Sequence, residues 1–115
     1  MILRKRTDFA QLKAQGKRLR GRALSCNWDL QAENLRKAAF IVPKSCGEAV
    51  VRNRIRRRLR EIYRHAQHDF PSALRTVWIA HPASAHLSYA EIRSDFIQVC
   101  RRAGLVPPAE NAPPS

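Results

Sequence analysis

Few side chains here are of the kinds that make or break bonds, and their spacing argues against most of the chemistry they would support. His65 and His68 stand about one helical turn apart, as a metal-free acid–base pair would require. They also close a basic helical stretch, where favourable charge–dipole placement accounts for them without catalysis. Metal-assisted phosphodiester hydrolysis needs clustered carboxylates, but the nine acidic residues are scattered. Glu91 and Asp95 are the sole pair four apart on an expected helix, and they suit its start, where the dipole favours negative charge. Cys26, Cys46 and Cys100 are odd in number and widely spaced, giving neither a zinc set nor a disulfide framework. They read as free buried thiols in a reduced, cytoplasmic chain. No catalytic residue and no metal ligand is assigned.

The chemistry that does stand out is cationic. The stretch AVVRNRIRRRLREIYRHA places seven arginines between Arg52 and Arg64. Wound as a helix, it gathers Val51, Ile55, Leu59, Ile62, Tyr63 and Ala66 into one apolar arc of about 120°. Asn53, Arg54, Arg56, Arg57, Arg58, Arg60 and Arg64 take the other side, relieved only by Glu61. Arg52 falls beside the apolar stripe and must snorkel or find a partner. Like charges four apart on a helix cost a few tenths of a kcal/mol per pair. Nothing in folding offsets that cost. Phosphates would, because each one neutralised releases condensed counterions, and arginine grips phosphate bidentately.

The rest of the chain must position this helix. Its 115 residues make one ordinary domain, and a formal charge of +13 points to a polyanionic partner. No run approaches the roughly 20 apolar residues of a membrane span, and the start MILRKRTDF lacks a secretory apolar segment. A short helix begins after Thr7 or Asp8 and ends at Gly16, with Phe9 and Leu12 on one face. GKRLRGR follows as a basic linker, whose Arg18, Arg20 and Arg22 would share one side if extended. ALSCNWDL alternates strictly, turning Leu24, Cys26, Trp28 and Leu30 inward. QAENLRK is a polar connection, AAFIV a more buried strand, and LRTVWIA a third strand. Ser88 and Glu91 form a capping box for a last helix with Ile92, Phe96, Val99 and Cys100 inward and Gly104 at its end. The expectation is a single α+β domain over residues 1–105 and a Pro-rich, disordered tail over 106–115.

The decad Arg52, Asn53, Arg54, Ile55, Arg56, Arg57, Arg58, Leu59, Arg60 and Glu61 resembles the signature of the bacterial ribonuclease P protein family. Lys44 and the Ala49–Val50 pair stand at the family's spacing before it. TDFAQL, WIAHPAS and LSYAEI extend the likeness from about Leu3 to Leu105. The resemblance implies an αβββαβα sandwich with a left-handed crossover through the basic helix, against the usual hand. Only three of its four strands are legible in the pattern. It further implies a non-catalytic subunit of an endoribonuclease that removes 5′ leaders from precursor tRNA, with the active site in a catalytic RNA and Mg²⁺ held by that RNA.

On this likeness Arg52, Asn53, Arg54, Arg56, Arg57, Arg60 and Arg64 would dock on the catalytic RNA. Phe9, Lys13, Arg22, Asn27, Lys44 and His81 would line the cleft for the single-stranded leader of the precursor tRNA. Phe9 fits a stacking aromatic or an ordinary core residue equally well. Lys13 and Asn27 stand where the family often has aromatics, and His81 where it usually has a basic residue. No protein partner is evident. Two other readings use the same helix. One is a general RNA-binding or ribosome-associated protein, and the other a DNA regulator, which would want a recognition helix and usually a dimer.

Overall fold

The computed structural model describes residues 16–31 and 35–106. The N-terminal helix expected after Thr7, with Phe9 and Lys13, lies outside them, as does the tail from residue 107. Four strands, β1 (Lys17–Arg20), β2 (Leu24–Leu30), β3 (Lys37–Ile41) and β4 (Leu74–Ala80), accompany two helices, α1 (Ala49–Ala66) and α2 (Tyr89–Arg102). The sheet order is β1-β2-β4-β3. β1 and β2 pair antiparallel, as do β2 and β4, while β3 and β4 are parallel neighbours joined through α1. This is the expected α+β arrangement.

Period-two patterning set the central strands. Leu24 and Cys26 are fully buried in β2 and Trp28 nearly so, but Leu30 remains 65% exposed. That last position was expected to face inward; it instead runs past the edge of the core. β4 turns Leu74, Thr76, Trp78 and Ala80 to the same side, where the Trp78 ring stacks on Phe96 of α2 with centroids 3.8 Å apart. Its indole N–H donates to Thr76 Oγ1 at 2.9 Å, so the buried donor is satisfied.

The basic linker is the main correction. KRLR forms the edge strand β1, in register from Lys17 opposite Trp28 to Arg20 opposite Ser25. Leu19 packs against the core cluster while its charged neighbours stay exposed. Cations on an edge strand discourage pairing with another chain, so the composition suits the place. β3 also begins earlier than its apolar run, at Lys37, which is 8% exposed rather than part of a polar loop. At its other end Ile41 is 40% exposed, against the expectation of a buried strand.

Both helices close over one face of the sheet. α1 inserts Ile55, Leu59, Ile62, Tyr63 and Ala66, and Tyr63 meets Phe40 edge-on and Phe70 obliquely, each at 5.6 Å. α2 contributes Ile92, Phe96, Val99 and Cys100. Its start is the expected capping box: Glu91 N–H donates to Ser88 Oγ at 3.1 Å, and Ser88 N–H to Glu91 Oε1 at 3.0 Å. Its end uses Gly104 at φ 74°, which lets Leu105 N–H reach back to Cys100 O at 2.9 Å and buries the Leu105 side chain. On the opposite face of the sheet Ala39 and Val77 make a second, smaller apolar cluster with Ile79 packed on it.

Candidate nucleic-acid interface

The helical wheel of α1 holds in three dimensions, but its arginines divide into groups with different surroundings. Arg57 and Arg60 are exposed and have no hydrogen-bond or ion-pair partner among the described residues. Arg56 Nη1 donates to Asn53 Oδ1 at 2.9 Å, one turn back along the same surface. Arg64 makes a forked contact with Glu61, Nη2 to Oε1 at 2.8 Å and Nε to Oε2 at 3.3 Å, and His65 Nε2 also lies 3.0 Å from Oε1. The hydrogen bond from Arg64, then that from His65, holds the Glu61 carboxyl below its ordinary pKa. The one acid on this helix face is thereby engaged at its C-terminal end. The stretch around Arg57 and Arg60 is left purely cationic.

Two arginines turn inward. Arg54 Nη2 reaches Ala85 O at 3.5 Å, and Arg58 Nη1 donates to Leu87 O at 3.2 Å. These contacts tie α1 to the segment after β4, which contains a 3-10 turn at Pro82–His86 rather than a plain loop. Arg52 is half-buried, as its position beside the apolar stripe required, and its Nε, like that of Arg54, is buried without a partner among the described residues. Of the residues expected on the catalytic RNA, the outermost are therefore Asn53, Arg57, Arg60 and Arg64, while Arg52, Arg54 and Arg56 sit closer in.

The leader-side candidates among the described residues are spread over the other sheet face and the turns that flank β2, β3 and β4, while Phe9 and Lys13 lie outside the described residues. Asn27 lies on it, half-buried, with Oδ1 accepting from Arg18 Nε at 3.2 Å. His81 follows β4; its Nε2 is 2.7 Å from Ser25 Oγ and its Nδ1 is 3.3 Å from Arg22 O. A carbonyl only accepts, so Nδ1 carries hydrogen. Lys44 is exposed in a 3-10 turn, Lys44–Cys46, that packs against the one at Pro82–His86. Arg22 joins this group because its backbone is pinned. Asp95 of α2 accepts from Arg22 N–H at 3.1 Å and from Ala23 N–H at 2.8 Å. The carboxylate lies over Gly21, where a Cβ would stand 2.6 Å from Asp95 Oδ2. Asp95 was expected to serve its own helix start; it closes the β1–β2 turn instead. Arg18 and Arg20 share the sheet face with Asn27, as alternation of Arg18, Arg20 and Arg22 with Leu19 and Gly21 had signalled. At its far end Asp29 and Arg75 form a nearly buried bidentate pair at 2.8 and 2.5 Å, which charge counting along the chain did not reveal.

No group of three or more metal-binding residues occurs among the described residues. Asp29, Glu61, Glu91 and Asp95 all point at protein donors. Burial pushes the Cys100 thiol up to about 12, and burial with the nearby Cys100 raises Cys26 well above its usual value. Burial also raises Cys46. A thiol that resists ionisation is a poor nucleophile.

Known proteins carry the same pattern. The family model described as Ribonuclease P matches residues 1–104. The ribonuclease P protein component of Thermus scotoductus is 45% identical over 98 residues, covering 85% of this chain and 57% of that one. The chain thus spans little more than half the length of that relative. The component from Acidothermus cellulolyticus is 36% identical over 102 residues, covering 87% of this chain and 85% of that one. The solved RNase P protein of Staphylococcus aureus superposes with a TM-score of 0.84 at 20% identity, covering 92% of this chain and 97% of the other. With a single family model spanning the sheet, both helices and the arginine segment together, the chain belongs to the ribonuclease P protein family.

Proposed function

We propose that the chain is the protein subunit of ribonuclease P: it binds a catalytic RNA and the 5′ leader of precursor tRNA, and assists endonucleolytic removal of that leader. The observation that carries this reading is the unneutralised face of α1, where Arg57 and Arg60 have no partner among the described residues. Folding leaves these charges uncompensated; an RNA backbone compensates them and releases its counterions. Asn53, Arg56 and Arg64 widen the same surface. Arg54 and Arg58, held against the chain after β4, fix the helix relative to the sheet face that takes the leader.

The protein acts by binding and electrostatics. Asp29, Glu61, Glu91 and Asp95 are committed to protein donors, and no group of three or more metal-binding residues occurs among the described residues. As the family likeness implies, Mg²⁺ and the active site are assigned to the RNA. Arginines laid on that RNA offset phosphate repulsion and so lower the Mg²⁺ concentration needed. The sheet face, with Arg22, Asn27, Lys44 and His81, adds binding energy on the substrate side. The cytoplasm is the assigned location; no described helix is long and apolar enough to cross a membrane.

The test is reconstitution with a bacterial ribonuclease P RNA and precursor tRNA at low Mg²⁺. Stimulated 5′ cleavage is the expected outcome; non-selective RNA binding without stimulation would replace this reading with that of a general RNA-binding protein. Replacing Arg57 and Arg60 together by Ala should weaken assembly and shallow the log–log salt slope by about 0.7–0.9 for each phosphate no longer neutralised. An unchanged slope would place the RNA elsewhere.

A further inference from the structure

The sheet face opposite the helices offers hydrogen-bond donors where a stacking platform would offer rings. Trp28, Phe40 and Trp78, the aromatics of the described strands, all pack on the core side. The other face aligns Arg18 with Asn27 and Val77, and in the next row Arg20 with Ser25 and Ile79. Stacking of bases on aromatic side chains is sequence-tolerant because every base has a π-face. Hydrogen bonds to a base edge are not.

The geometry of one pair gives that face a definite polarity. Arg18 Nε, which only donates, holds Asn27 Oδ1 at 3.2 Å. The contact settles which way the amide lies. Its oxygen is turned to the guanidinium, and its Nδ2 group keeps two hydrogens with no partner among the described residues. Arg18 itself is exposed and retains its Nη donors. Together the two side chains present mainly donors, because Arg18 already occupies one lone pair of the single acceptor atom they own. Beside them Ile79 is half-buried and Ile41 is 40% exposed, an aliphatic surface against which a planar base can lie.

We infer that Arg18 and Asn27 act as a specificity pair for one leader nucleotide, reading a base edge with adjacent acceptors and so favouring guanine over adenine. Guanine presents O6 and N7, both acceptors, side by side; adenine sets its N6 amino donor beside N7. The two purines stack alike, so their ratio isolates the edge. This inference rests on the proposal that the leader lies along this face, and adds which chemistry selects it.

The experiment uses the full chain assembled with a bacterial ribonuclease P RNA, and precursor tRNAs in which guanine and adenine are exchanged at each leader position in turn. At one position the guanine form should bind at least about fivefold tighter, the low end of discrimination for a bidentate contact. Asn27→Ala should bring that ratio to one. Asn27→Asp keeps the Arg18 partner but swaps donor for acceptor, and should invert the ratio toward adenine. Arg18→Ala frees the amide to flip and should narrow it. Both positions are solvent-accessible, and circular dichroism melts verify that each variant is folded. If cleavage is still stimulated but the parent and Asn27→Ala give the same ratio at every position, the specificity pair is overturned and the subunit reading stands. If neither stimulation nor leader-dependent affinity is found, both fall.

Discussion

Helix α2 opens on a reciprocal Ser88–Glu91 cap and closes on a positive-φ glycine with Leu105 folded back beneath it. Helix α1 has Glu48 at its N-cap without a side-chain bond, no acid in its first turn, and arginines four apart at Arg52 and Arg56, Arg54 and Arg58, Arg56 and Arg60, and Arg60 and Arg64. Both lie on the same sheet face with similar inner stripes. What differs is the origin of their stability. α2 is specified by its own sequence, turn by turn. α1 bears local repulsion and depends on its buried side, on the Tyr63 contacts, and on Arg54 and Arg58 reaching carbonyls of another segment. A helix that gives up local stabilisation on one face is one whose outer surface serves something other than folding.

The sharpest way to break this contrast is to remove what holds α1. Leu59 is 1% exposed, and Leu59→Ala should cost about 2–5 kcal/mol, read by urea denaturation. A loss below about 1 kcal/mol would mean that burial is not what seats the helix. On α2 the corresponding weak point is the cap: Ser88→Ala should cost about 1 kcal/mol. Glu48→Ala, at the uncapped start of α1, should stay within about 0.5 kcal/mol. The α2 cap also carries a pH signature. The Ser88 backbone N–H, then its side chain, holds the Glu91 carboxyl below the ordinary range. A carboxyl depressed in the folded state contributes above its unfolded value, about 4.3, and that contribution fades as pH falls through the folded value. Melting curves of the parent and Glu91→Gln should therefore converge in acid and separate near neutrality.

The same contrast explains what the sequence disclosed. Local signals are written in local residues, so the α2 cap, its inward stripe and its glycine stop were legible, as was the two-sided character of α1. β1 was not, because KRLR has no strand propensity to speak of; it becomes a strand only when β2 offers an edge and Leu19 a place in the core. Lys37 misled for a similar reason, being a charged residue drawn into β3 by its neighbours. At the site, the outward residues of α1 were found by periodicity. The division of its arginines into free, locally paired and inward-tied was not, since Ala85 and Leu87 are distant in the chain. Asp95 was placed on the right helix with the wrong task, because its partners are backbone N–H groups more than seventy residues away.

A small expected change in stability is also the most telling, because it has the opposite sign to its functional effect. Arg60 is exposed and unpartnered among the described residues, with Arg56 and Arg64 one turn to either side. Arg60→Glu converts two like-charge pairs into attractive ones, and opposite charges four apart are worth about 0.2–0.5 kcal/mol each. The free protein should gain roughly 0.5 kcal/mol, visible as a small rise in melting temperature at low salt that fades at high salt. On the proposed reading, assembly with the RNA should weaken in the same variant, because a phosphate contact would be replaced by a repulsion. A residue kept only for folding would not be improved by inverting its charge. If Arg60→Glu instead destabilises the free protein and leaves RNA affinity unchanged, the outer face of α1 is a structural surface after all, and the division of labour between the two helices is wrong.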